Sequence, residues 1–82
     1  MTESFHEWLR RSAKKKSRFF TRFAREAGID EKSFSKTVNG YSYPSTTCLS
    51  KIFQYLRTPE EERKEVVWKM WCEKSSYDSR LN

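Results

Sequence analysis

Five times in 82 residues, a short polar side chain able to cap a helix opens a stretch whose apolar residues recur three and four positions apart. That spacing commits the chain to short amphipathic helices. Ser4, with Glu7 three residues on, has the form of a capping box, and Phe5, Trp8, Leu9 and Ala13 follow on one helical face. Ser17 is read as the cap of a second helix that turns Phe20, Phe23, Ala24 and Ala27 inward and stops at Gly28. Asp30 caps a third, with Phe34 and Val38 facing the core and Asn39-Gly40 ending it where a left-handed backbone is tolerated. Pro44 biases Tyr43 away from helix, and Ser45 caps a fourth with Leu49, Ile52, Phe53 and Leu56 as its buried stripe. Thr58-Pro59-Glu60-Glu61 joins a cap, a proline at the first helical position and an acidic first turn, and opens a fifth helix expected to end near Cys72.

No strand competes with this reading. The only adjacent β-branched pairs, Thr46-Thr47 and Val66-Val67, lie inside helical patterns. The expected fold is all-α, with one domain over residues 3–72 and a flexible tail over 73–82. A domain of this size has little room for a deep catalytic pocket. Aromatic residues make up 16% of the chain, which argues for a packed core rather than disorder. Cys48 and Cys72 stand 24 positions apart and far from the single histidine, His6, so neither a disulfide framework nor a metal site is indicated. No Ser/His/Asp or Cys/His constellation is present, so a binding module without cofactor is expected rather than an enzyme. The start of the chain lacks the basic-then-apolar order of a signal peptide, and no run approaches the roughly 18 apolar residues that span a bilayer. A cytoplasmic protein without membrane contact is the expectation.

The link between the second and third predicted helices carries functional information. Ala24 is small where two helices would cross, Gly28 can take positive φ in the turn, and Ile29 with Phe34 would anchor the later helix on the earlier one. At these residues, and again over Ser35 to Gly40, Tyr43-Pro44-Ser45, Leu49 to Ile52 and Leu56, the chain resembles the lambda repressor and Cro-like (XRE) helix-turn-helix family. The resemblance covers roughly residues 19–57. It implies a compact five-helix domain with the helix-turn-helix in helices 2 and 3, binding duplex DNA as a dimer with helix 3 in the major groove. It further implies base contacts from Lys32, Ser33 and Lys36, with Glu31 either at the helix dipole or accepting from a cytosine amino group. Where the family often carries a phosphate-binding glutamine this chain has Phe20, which leaves Thr21 or Arg22 for that contact. Asn39, Tyr41 and Tyr43 are phosphate candidates, the tyrosines having packing over the core as their other reading.

Charge points the same way without the resemblance. The chain has 17 basic and 11 acidic side chains, a net +6. Arg10, Arg11, Lys14, Lys15, Lys16, Arg18, Arg22 and Arg25 fall within sixteen positions that contain no acid. Residues 1–41 hold ten basic and five acidic side chains, and 42–82 hold seven and six, so the excess sits beside the proposed reading helix. Lys14, Lys15, Lys16 and Arg18 are therefore expected at phosphates. The fifth helix carries Val66, Val67, Trp68, Met70 and Trp71, more large apolar groups than one face needs. Two readings stand: Val67, Met70 and Trp71 complete the core, or Val67, Trp68 and Trp71 form a symmetric dimer contact. The expected function is a small repressor of the phage or mobile-element type with no small-molecule ligand. The alternative is an antitoxin-like or inhibitory module that binds another protein.

Overall fold

The computed structural model describes residues 3–81, with 76–81 as helical backbone only, and three of its helices begin where the caps mark them. Ser4 Oγ accepts the Glu7 N–H at 3.2 Å ahead of α1 (Phe5–Lys16). The Asp30 carboxylate accepts the Ser33 N–H at 3.0 Å ahead of α3 (Glu31–Val38). Ser45 Oγ accepts the Cys48 N–H at 3.2 Å ahead of α4 (Thr46–Leu56). Each satisfies an amide that the helix itself leaves without a partner. The fifth helix starts at Glu60, one residue after the proline expected at its first position, because its first bond runs from Arg63 N–H to Pro59 O at 2.9 Å. The other exception is Ser17. It ends α1 rather than starting α2, donating its N–H to Ala13 O at 2.8 Å, and α2 (Phe20–Ala27) begins behind Phe19 with no side-chain cap. Three lysines in the last turn favour both the helix and its negative end, so α1 runs through Lys16 before serine can act.

Two of these helices end on the expected glycines. Gly28 takes φ +76° and Gly40 φ +88°, while Asn39 stays at φ −89°, so Gly40 alone supplies the left-handed residue after α3. The fifth helix, α5 (Glu60–Leu81), continues nine residues past its expected end at Cys72. Within that extension Glu73 accepts the Phe5 N–H at 2.8 Å and the Tyr43 hydroxyl at 3.5 Å, tying α5 to the first turn of α1.

α1 touches all four other helices, and α2 packs on both α3 and α4. The core takes Phe5, Trp8, Leu9 and Ala13 from α1, Phe23 and Ala24 from α2, and Phe34 and Val38 from α3. Leu49, Ile52 and Phe53 join from α4, Val66 and Met70 from α5. Phe23 and Phe34 stack at 4.9 Å and 14°, which pins α3 to α2 on either side of the Gly28 turn. Val66 rather than Trp71 completes the core beside Met70: Trp71 is 54% exposed, Trp68 73%, and Val67 is half-buried. Among the described residues the fold is all-helical, and no helix is long and apolar enough to cross a membrane.

Candidate nucleic-acid interface

α3 is divided by burial into two faces. Phe34, Thr37 and Val38 point into the fold, while Glu31, Lys32, Ser33, Ser35 and Lys36 are exposed. A threonine can sit inward because Thr37 Oγ1 donates to Ser33 O at 3.0 Å and lies 3.3 Å from Ser42 Oγ, so its hydroxyl is satisfied without water. All four residues expected at base edges, Glu31, Lys32, Ser33 and Lys36, thus share the outward side of one helix. Glu31 is engaged by Arg25, whose Nη2 stands 3.2 Å from its carboxylate across the α2–α3 turn. The same turn is gripped by Lys51 of α4, donating to Gly28 O at 3.0 Å.

The residues expected at phosphates divide. Lys14, Lys15 and Lys16 are exposed at the end of α1, Arg18 in the link, Thr21 and Arg22 in the first turn of α2. Lys16 lies over the Tyr55 ring at 5.0 Å, Arg18 over Phe19 at 5.7 Å, and Arg22 pairs with Glu26 at 3.0 Å. After α3, Asn39 is exposed and donates to Ser35 O at 2.8 Å, and Tyr41 is 76% exposed. Tyr43 turns the other way. It is half-buried, its ring 4.7 Å from His6 and 6.0 Å from Phe5, with its hydroxyl on Glu73.

The basic run is acid-free along the chain but not in space. Glu3, Glu26 and Glu31, all from outside the run, pair with Arg11, Arg22 and Arg25. Arg10 donates to Val38 O at 3.3 Å, placing a cation at the negative end of α3. The hydrogen bond from Arg11 holds the Glu3 carboxyl below its ordinary range. The Tyr55 hydroxyl, then Arg22, does the same for Glu26, and the Ser33 amide for Asp30. All three acids are therefore charged at neutral pH. Lys14, Lys15, Lys16, Arg18, Lys32 and Lys36 make no ion pair among the described residues.

Sequence reasoning did not anticipate the Arg25–Glu31 bridge, because partners six apart across a turn follow no helical spacing. It also did not anticipate a groove of about 380 Å³ between α3 and α4, walled by Ser33, Lys36, Thr37, Ser45, Cys48 and Lys51 among others. Burial pushes the Cys48 thiol up, so it stays protonated there. The surplus apolar groups of α5 form a second, shallow groove: Val67, Trp68 and Trp71 beside Phe53, edged by Glu60, Arg63 and Lys64. No group of three or more His, Cys, Asp or Glu among the described residues is disposed to hold a metal ion. Comparison of the chain with protein-family models, curated proteins and solved structures finds no match.

Proposed function

We propose that the chain is a sequence-specific binder of duplex DNA, a lambda repressor/Cro-like helix-turn-helix domain that represses transcription by occupying an operator as a dimer. The observation that carries this reading is α3 itself. Phe34, Thr37 and Val38 fasten it to the core through one edge, and its opposite edge offers Lys32, Ser33 and Lys36 to solvent; the end of α1 adds further exposed cations that carry no ion pair among the described residues. Lysine donates well to guanine O6 and N7 in the major groove, and serine accepts either base type. Lys14, Lys15, Lys16 and Arg18 grip phosphates on one flank, with Thr21 and Arg22 at the start of α2, and Asn39 and Tyr41 on the other. Arg25 holds Glu31 at the head of α3, which keeps that carboxylate from repelling the backbone.

The groove on α5 supports the dimer. A stripe along α5 runs from Glu60 through Lys64, Val67, Trp68 and Trp71 to Lys74, with Val67 and Lys74 half-buried and the others exposed, acidic at one end and basic at the other. An antiparallel pairing of two copies about Val67 and Trp68 sets each Glu60 by a Lys74, whereas a parallel pairing opposes like charges. The two reading helices then address half-sites one DNA turn apart, roughly 34 Å.

Selection from a library of randomised duplexes, followed by fluorescence anisotropy at several salt concentrations, tests the reading. A two-fold symmetric motif should emerge. Lys36→Ala should lower discrimination between that motif and random DNA, each good base contact being worth about 1–3 kcal/mol. Neutralising Lys14, Lys15 and Lys16 should weaken both equally and flatten the salt slope by about 0.9 per lost phosphate contact. Binding that shows no preference over random duplex at moderate salt refutes the proposal.

A further inference from the structure

Three helices end in the same way, and one of them breaks the rule that the other two follow. Ile29 N–H reaches Ala24 O at 2.8 Å, Tyr41 N–H reaches Lys36 O at 2.9 Å and Thr58 N–H reaches Phe53 O at 3.1 Å. Each bond closes a Schellman turn that holds the preceding residue in a left-handed conformation. After α2 and α3 that residue is glycine. After α4 it is Arg57, at φ +55°, the one non-glycine residue with positive φ among the described residues. A side chain is disfavoured in that region, and nothing in the packing offsets it. Arg57 is exposed and makes no side-chain hydrogen bond or ion pair among the described residues.

What Arg57 does is line a cleft. Between the second half of α1 and the α4–α5 link lies a hollow of about 300 Å³, walled by Arg11, Lys15, Lys16 and Arg57, with Thr58 and Glu62 among the remaining residues. The acids nearby are already engaged: Glu62 accepts the Trp8 indole N–H at 3.1 Å, and Glu3 takes Arg11. Lys15 carries no ion pair among the described residues, and Lys16 rests on the Tyr55 ring. Four cations on this concave surface outnumber the two carboxylates beside them, Glu3 and Glu62, and the concave shape concentrates the remaining positive field on an incoming anion. The volume suits a phosphate or diphosphate group with some of its water.

We propose that this cleft binds a phosphate-bearing anion, with Arg57 as the side chain placed there for it. The anion has two sources, a free di- or triphosphate compound or a backbone phosphate of bound duplex. Only the second rests on the DNA-binding reading above.

The full chain titrated with pyrophosphate at constant ionic strength, followed by thermal unfolding and by amide NMR shifts, tests it. A saturable rise in Tm is expected, with shifts centred on Lys15, Arg57 and Thr58. Arg57→Gly relieves the backbone, so without anion it should unfold at the wild-type temperature or above, yet bind pyrophosphate at least tenfold more weakly. Lys15→Gln should weaken it several-fold. A wild-type response no greater than matched chloride gives, an Arg57→Gly variant with full affinity, or one that unfolds at a lower temperature would each overturn the proposal. Displacement of duplex by pyrophosphate at matched ionic strength assigns the cleft to a DNA phosphate, and simultaneous binding assigns it to a free anion. A chain that binds pyrophosphate but no duplex removes the DNA reading and leaves the cleft standing.

Discussion

Replacing Gly28 by alanine isolates the conformational requirement of the α2–α3 turn. Gly28 sits at φ +76°, ψ +33°, and a Cβ built there meets no atom within 4 Å. The penalty therefore has one source, the left-handed backbone of an L residue, worth about 1–2 kcal/mol. Alanine's smaller loss of chain entropy on folding returns up to about 1 kcal/mol, leaving a net loss near 1 kcal/mol. Against a total of about 4–12 kcal/mol for a domain of this length, that loss is tolerable. It should lower Tm by about 4–8 °C and move the urea midpoint without changing the slope. Two results would refute the reasoning. A loss above about 3 kcal/mol would mean that the added methyl collides with a neighbour, and no loss at all would mean that the turn is not left-handed. Gly40→Ala is the internal control, because its φ of +88° and open surroundings predict the same cost. Since Phe23 and Phe34 still stack across the turn, Gly28→Ala should keep the exposed face of α3 and any DNA preference it carries.

The remaining predictions concern the dimer and acid stability. Trp68 is 73% exposed, so Trp68→Ala should weaken self-association in sedimentation experiments while leaving the monomer's Tm nearly unchanged; an unchanged mass with a lowered Tm would return Trp68 to the core. Glu3, Glu26 and Asp30 all have folded pKa values below their ordinary ones. Depressed acids contribute stability that is present above the unfolded value near 4 and lost as pH falls through the folded value. Thermal unfolding between pH 6 and pH 2 should therefore show Tm falling below about pH 4, and Asp30→Asn, which keeps the cap, should make that fall shallower. A Tm that rises on acidification would contradict these linkages.

How far each feature could be read from the sequence depends on how local its cause is. Ser4, Asp30 and Ser45 cap the helices they mark because a cap is decided within four residues. Gly28 and Gly40 end helices for reasons equally local. Ser17 misled because two neighbouring helices compete for one residue, and the lysine triplet lets α1 claim it. On α5 the apolar residues are too crowded to define a phase. Whether Val66 or Trp71 turns inward is settled by the contacts of Met70 and Glu62 with the rest of the fold, which the order of residues does not contain. The length of α5 was equally hidden, since Glu73 finds its partners on Phe5 and Tyr43. The outward residues of α3 were legible from helical period. The Arg25–Glu31 bridge and the cleft at Arg57 arise only once helices cross.

The charge shows what crossing adds. Sixteen positions without an acid suggest eight equivalent cations, but folding sorts them by chemistry. Arginines 11, 22 and 25 each find a carboxylate, and Arg10 finds the end of α3. A planar fork suits such partners, while exposed pairs of this kind add at most about 1 kcal/mol each. On the proposed DNA-binding reading, their use is to quiet Glu3, Glu26 and Glu31, acids that would otherwise repel a polyanion from α1, α2 and the head of α3. The lysines, compact point charges on flexible stems, stay unpaired at the end of α1 and along α3. Among the described residues Arg18, Arg57 and Arg63 lie outside this division: Arg18 over Phe19, Arg63 over Phe53 while donating to Thr58 O at 2.9 Å, and Arg57 held in a left-handed turn at the rim of a cationic cleft. On the proposed DNA-binding reading, pairing Glu3, Glu26 and Glu31 while leaving the lysines of α1 and α3 unpaired suits this surface to phosphate, and the proposed cleft at Arg57 extends it beyond α3.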